Sequence, residues 1–180
     1  MRYAVFLRGV NVGGITLTSA ALREMLADLP VGDVKTLLAS GNVVCTYDGD
    51  AGELKSIVEK ALRKTFGYDA WVVVLTAERL AELLDACPYP PDAPGRHTYV
   101  TVTSDPSVLD ELTGAVEDAD PDEESTRLGP EALAWTAPVG GTLSTPRSKL
   151  AGKTRYKSAI TDRNLRTMNK VRAALDAIPD

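Results

Sequence analysis

Cysteine, histidine and aromatic side chains are scarce in this chain of 180 residues: two Cys, one His, and Phe, Trp and Tyr together at 6%. Cys45 and Cys87 cannot build the disulfide framework of a small secreted domain, which points to the cytoplasm. A single histidine and two distant cysteines make no recognisable ligand set, so neither a metal nor a cofactor is expected, and His97 is read as a residue opening a strand. Long apolar runs are missing too. None approaches the ~20 residues of a membrane helix, so no membrane partner is expected. Residues 3–7 are too short for a signal-peptide core and no small-residue cleavage site follows them. Gly152-Lys153-Thr154 resembles the end of a phosphate loop, but the first glycine of that motif would fall at Arg147. The glycines near the N-terminus do not spell G-x-G-x-x-G, so a dinucleotide fold has no support.

What is present is ordinary in amount and uneven in placement. At 44% apolar and 25% charged residues, the chain has the composition of a globular protein. Its length allows one large domain or two small ones, with roughly 70% of the unfolded surface buried. The net charge of −5 conceals an asymmetry: Arg147 to Arg172 carries nine Lys or Arg against one acid, Asp162, leaving eleven bases and twenty-four acids elsewhere. The protein as a whole repels polyanions, whereas its last quarter attracts them.

The stretch around which the rest is organised is Leu7-Arg8-Gly9-Val10-Asn11-Val12-Gly13-Gly14. An apolar strand beginning at Tyr3 empties into a loop with three glycines and one asparagine. Glycine permits φ > 0 and close backbone approach, and a loop so built can aim several N–H groups at one anion. Arg8 would stand at the strand mouth as a planar donor.

The remaining order is legible from caps and periodicity. Thr18-Ser19 precede a helix with Leu22, Met25 and Leu26 on one side. Val34–Leu38 and Val43–Tyr47 read as strands joined by a Ser40-Gly41-Asn42 turn. Leu54, Ile57, Val58, Ala61 and Leu62 follow helical spacing toward a C-cap at Gly67, and Trp71–Leu75 is a buried strand. A helix from Thr76 to about Ala86 ends at a stretch with prolines at 88, 90, 91 and 94, read as the linker. The second half repeats the order: strand Thr98–Thr103, helix after Asp105-Pro106, strands Ser125–Leu128 and Ala132–Thr136, a short helix near Arg147–Ala151, a weak strand at Ser158–Thr161, and a tail helix from Asp162. The fold expected is α+β, with two ferredoxin-like βαββαβ units, residues 1–87 and 96–180, the second carrying the C-terminal helix.

That topology predicts convergence. In a split βαββαβ unit the first two strands end at one sheet edge, so the Gly9–Gly14 loop and the Ser40-Gly41-Asn42 turn become neighbours. In the second half the same logic brings the Gly140-Gly141 loop and Arg147 near Arg163-Asn164. Trp71 and Trp135 read as core. No base stands near Ser40 in the sequence, so it is not read as a nucleophile and no catalytic residue is assigned.

Three segments, Leu7 to Gly14, Ser40-Gly41-Asn42-Val43-Val44 and Thr161-Asp162-Arg163-Asn164-Leu165-Arg166-Thr167, together resemble domain-of-unknown-function family 1697. Its members carry LRGINVGG near the start, SGNVVF after the second strand and TRNWNT opening the last helix. The resemblance implies a pair of ferredoxin-like units and no established activity. This chain has Leu165 where the family shows Trp, Arg166 where it shows Asn, and Cys45 where Phe is common.

The function expected from these observations is binding of a phosphate-bearing ligand, a nucleotide or RNA, between two glycine-lined sheet edges. Gly13 and Gly14 would supply backbone N–H groups, Arg8, Arg147 and Arg163 bidentate donors, and Asn11, Ser40, Asn42 and Asn164 orientation. Two alternatives stand beside it: an enzyme acting on a small phosphorylated substrate through Arg and Asn electrostatics, and a structural or interaction module in which the same motifs only brace the fold.

Overall fold

The computed structural model describes residues 1–8, 17–37, 41–67 and 69–179. Two compact units emerge, one of Met1–Ala81 with Lys170–Asp180 and one of Glu82–Asn169. The architecture is mixed α+β with antiparallel sheets.

The first unit holds β1 (Arg2–Arg8), α1 (Ser19–Ala27), β2 (Gly32–Leu37), β3 (Asn42–Thr46), α2 (Ala51–Phe66), β4 (Trp71–Thr76) and the start of α3 (Ala77–Asp85). Its strands lie in the order β2-β3-β1-β4, every neighbour antiparallel. Alternation on β1 sorts the core: Tyr3, Val5 and Leu7 meet Leu22, Met25 and Leu26 of α1 and Leu54, Val58 and Leu62 of α2. Burying each such side chain stabilises by about 1.5–3 kcal/mol. Ala4, Phe6, Val44 and Val73 point to the other face and are buried as well.

The helices begin and end where their caps dictate. The Thr18 hydroxyl accepts from Ala21 N–H at 3.1 Å. Asp50 and Glu53 form a reciprocal capping box at the start of α2, and Gly67, at φ +69°, closes it in the left-handed conformation. On the outer strand β2, Asp33 takes φ +51° beside a register shift between Gly32 and Lys35. The Asp33 carboxylate accepts from the Thr46 hydroxyl at 3.0 Å. Arg2, at the start of β1, donates to the carbonyl of Ile178 at 3.5 Å, tying the C-terminal segment to this unit.

The second unit holds β5 (Asp92–Ala93), β6 (Arg96–Thr103), α4 (Pro106–Ala119), β7 (Ser125–Gly129), β8 (Ala132–Pro138), a 3₁₀ turn (Thr142–Ser144), α5 (Pro146–Ala151), α6 (Thr154–Lys157), β9 (Ile160–Asn164) and the start of α7 (Leu165–Asp176). β6 is flanked by β8 on one side, with β9 and the short β5 sharing the other. The order β7-β8-β6-β9 repeats that of the first sheet, again antiparallel throughout. Leu109 of α4 packs on Leu133, Trp135 and Ala137, and Leu112 and Val116 on Ala151, Tyr156 and Ile160.

Two elements differ from the sequence reading. The proline-rich stretch read as a linker is joined to the second sheet. Pro94 and Gly95 (φ +74°) form the turn of the β5–β6 hairpin, and Pro90 and Pro91 carbonyls accept from Thr98. The sequence pattern predicts a tail helix from Asp162. Instead Asp162, Arg163 and Asn164 pair with β6, and α7 starts at Leu165 because the Asn164 side chain accepts from Arg166 N–H at 2.9 Å, acting as the cap. Leu165, Met168, Val171 and Leu175 form the buried side of α7 as their spacing predicts.

Candidate functional site

Arg8 is the last residue of β1 and lies directly opposite Trp71, the first residue of β4. Directly opposed residues in antiparallel strands share a sheet face, so Arg8 and Trp71 belong to the face away from α1 and α2. Both are half-buried. One residue earlier, Leu7 N–H donates to the carbonyl of Gly41 at 2.8 Å. Phe6 opposes Asn42. The end of β1 and the start of β3 therefore meet, as the split topology predicts. Asn42 is fully buried and its amide donates to the carbonyl of Leu37 at 3.0 Å, clamping the end of β2 to the same place. Gly41 takes φ +69°, a conformation glycine adopts without strain. Asn11, Gly13, Gly14 and Ser40, expected at this edge, lie outside the described residues.

In the second unit β8 and β9 both run against β6, so their ends also share an edge: Arg96 opposes Pro138 and Tyr99 opposes Asn164. Tyr99 stacks on Trp135 with ring centroids 5.0 Å apart and donates to, or accepts from, the Thr142 hydroxyl at 2.8 Å. Asn164 thus stands beside an aromatic pair, although its side chain is occupied by the α7 cap.

The two arginines expected here do not converge. Arg147 lies over the Trp135 ring, is 1% exposed, and donates from Nε and Nη2 to Glu123. Arg163 opposes Val100 and so belongs to the opposite face of the sheet. There it is 8% exposed and donates to the Thr161 hydroxyl and the Asp162 carbonyl. Neither guanidinium stands at an open edge.

The basic quarter of the chain is also less basic in space than in sequence. Arg155 pairs with Glu111, Arg166 with Asp92 at 3.6 Å, and Arg147 with Glu123. Asp92 in turn binds His97 Nδ1 at 2.7 Å, which accounts for the lone histidine, the second residue of β6. The same Glu111 accepts from Tyr156, and that bond holds the phenol above its usual pKa. A cleft of about 480 Å³ between α4 and the β7–β8 turn is lined by Asp110, Gly114, Glu117 and Arg127. The Arg127 guanidinium is engaged by Asp110 and by the Gly129 and Pro130 carbonyls.

Among the described residues, no group of three or more His, Cys, Asp and Glu side chains is placed to hold a metal ion, and no helix is long and apolar enough to cross a membrane. Trp71, which reads as core from the sequence, is half-buried at the start of β4. Its place opposite Arg8 follows from the split βαββαβ order, which sets the start of the fourth strand against the end of the first.

A family model described as Protein of unknown function (DUF1697) matches residues 1–133. No curated protein matches the chain. Among solved structures, a conserved bacterial protein from Streptococcus pneumoniae superposes with a TM-score of 0.75 at 24% identity, covering 97% of this chain and 98% of the other. That likeness is one of fold.

Proposed function

The chain belongs to the DUF1697 family, and from that premise we propose that it binds a phosphate-bearing ligand, a nucleotide or RNA, at the edge of the first sheet where β1 ends. The observation that carries this reading is the Arg8–Trp71 pair, a planar cation and an indole opposed on one face with neither fully buried. An indole stacks on any base, a contact worth about 1–3 kcal/mol. A guanidinium takes phosphate oxygens two at a time.

Asn42 holds the neighbouring strand end in register. Asn11, Ser40 and the N–H groups of Gly13 and Gly14 complete the proposed contact set. Arg147 is assigned to structure instead, given its burial against Glu123, and Arg163 and Asn164 to the local bonding of β9 and α7. We read both units as ferredoxin-like, supported by the repeated strand order. A cytoplasmic location accords with the two free thiols, Cys45 and Cys87.

Tryptophan fluorescence titrated with AMP, ATP and a single-stranded oligoribonucleotide at low salt tests the reading. Ligand should quench Trp71, while Trp135, 1% exposed, gives a constant background. Failure of all three probes to bind removes the proposal. Binding that survives both Trp71→Leu and Arg8→Ala moves the ligand elsewhere and removes it equally.

A further inference from the structure

On the helical side of the first unit, α1 and α2 leave a groove of about 460 Å³ between them. The α2 wall is Ile57, Lys60, Ala61, Lys64 and Thr65, spaced i, i+3, i+4, i+7 and i+8. Such spacing makes one continuous stripe about 12 Å long. Met25, 4% exposed, and the half-buried Leu29 form the facing wall on the α1 side. The groove is therefore apolar along Met25, Leu29, Ile57 and Ala61 and cationic at Lys60 and Lys64. Both lysines are exposed, one helical turn apart, and in no ion pair or hydrogen bond among the described residues.

We propose that this groove binds a small anionic amphiphile, an aliphatic carboxylate whose tail lies along the apolar wall and whose head sits between Lys60 and Lys64 with the Thr65 hydroxyl as donor. Size separates this occupant from a docked protein. The volume falls in the range of about 300–1,000 Å³ typical of small-ligand sites. Eight lining residues fall well short of the roughly 20–30 per side that a stable protein interface uses.

Charge gives the class of ligand. In a chain of net charge −5, two ammonium groups with no ion pair among the described residues, set over an apolar floor, are a local reversal of the field, and they favour an anion there. Asp28, on the α1 side of the groove, repels a carboxylate, so the head is directed to the α2 rim. Met25 supplies an adaptable surface for an aliphatic tail. The site is distinct from the Arg8–Trp71 edge, which lies on the opposite face of the same sheet, and does not depend on it.

The test titrates decanoate, 1-decanol and decyltrimethylammonium, each below its micellar concentration, into the full-length chain and follows amide shifts by NMR. Decanoate should shift Met25, Leu29, Ile57 and Ala61. The neutral and cationic amphiphiles should bind at least about tenfold more weakly. The exposed double variant Lys60→Glu/Lys64→Glu should lower decanoate affinity by at least about tenfold while its circular dichroism stays that of the parent. Ala61→Phe, which fills the groove without touching charge, should abolish the shifts. Any of four results overturns the proposal: no decanoate binding, equal affinity for the cationic amphiphile, undiminished binding by the double variant, or a synthetic amphipathic helix with two Glu one turn apart displacing decanoate at lower concentration.

Discussion

Arg147 and Glu123 enclose each other within the second unit. Nε lies 2.8 and 2.9 Å from the two carboxylate oxygens and Nη2 2.6 Å from one of them, with the side chains 1% and 7% exposed. The Trp135 ring centroid is 5.8 Å from the guanidinium carbon, and Nη1 has no hydrogen-bond partner among the described residues. A pair this deep is stabilising only while complete, because either partner alone is a charge in a medium that solvates it poorly.

Arg147→Met should therefore lower unfolding free energy by about 3–5 kcal/mol, measured by urea denaturation, since Glu123 is left uncompensated. The double variant Arg147→Met/Glu123→Leu should recover most of that loss. A single variant unfolding at the parent's midpoint would show that the pair contributes nothing.

Gly114 sits inside α4 with nothing within 4 Å of where a Cβ would stand. Gly114→Ala should raise stability by about 0.5–1 kcal/mol through the lost freedom of the unfolded chain. Gly67→Ala meets the same empty space but at φ +69°, and should lower stability by about 1–2 kcal/mol. Thermal unfolding of the two variants should move in opposite directions.

Burial pushes the Cys45 thiol up to about 11 from an ordinary value of 9.0. A thiol whose folded pKa exceeds its unfolded pKa stabilises fully below pH 9.0, and that contribution is lost as pH rises through about 11. The stability difference between the parent and Cys45→Ala should be constant up to about pH 9 and shrink above it, as read by urea midpoints across the pH series. At pH 8 a thiol reagent should label the half-buried Cys87 first and Cys45 only on unfolding. Equal labelling rates would contradict the burial of Cys45.

Arg8→Ala separates ligand binding from bracing. The variant should fold like the parent yet bind nucleotide at least about tenfold more weakly, since a charge-assisted hydrogen bond contributes about 1.5–3 kcal/mol. Binding of a long polyanion by the parent should also weaken steeply with salt. A large drop in the unfolding midpoint of Arg8→Ala would place the guanidinium among the residues that hold the fold.

Local signals made much of the fold legible. Thr18, Asp105-Pro106 and Gly67 mark helix ends because their backbone and side-chain chemistry acts within a few residues. The meeting of β1 with the Gly41-Asn42 turn followed from strand order alone. What the sequence concealed were pairings across distance. Counting charge along the chain sees Arg147, Arg155 and Arg166 as a basic run, but cannot see Glu123, Glu111 and Asp92 folding onto them. The polar string Asp162–Asn164 looks like the start of a helix until β6 supplies a ladder for it. Trp71 reads as core, and the strand pairing sets it half-buried opposite Arg8.

The outer strand β2 carries one last consequence. Its register shift and the left-handed Asp33 interrupt the even ladder of N–H and C=O groups that a neighbouring molecule would need as a template. The charged Asp33 and Lys35 stand along the same margin. Stacking of one molecule's sheet onto another's is thereby blocked on that flank, so concentrated protein should resist growing into ribbons from β2.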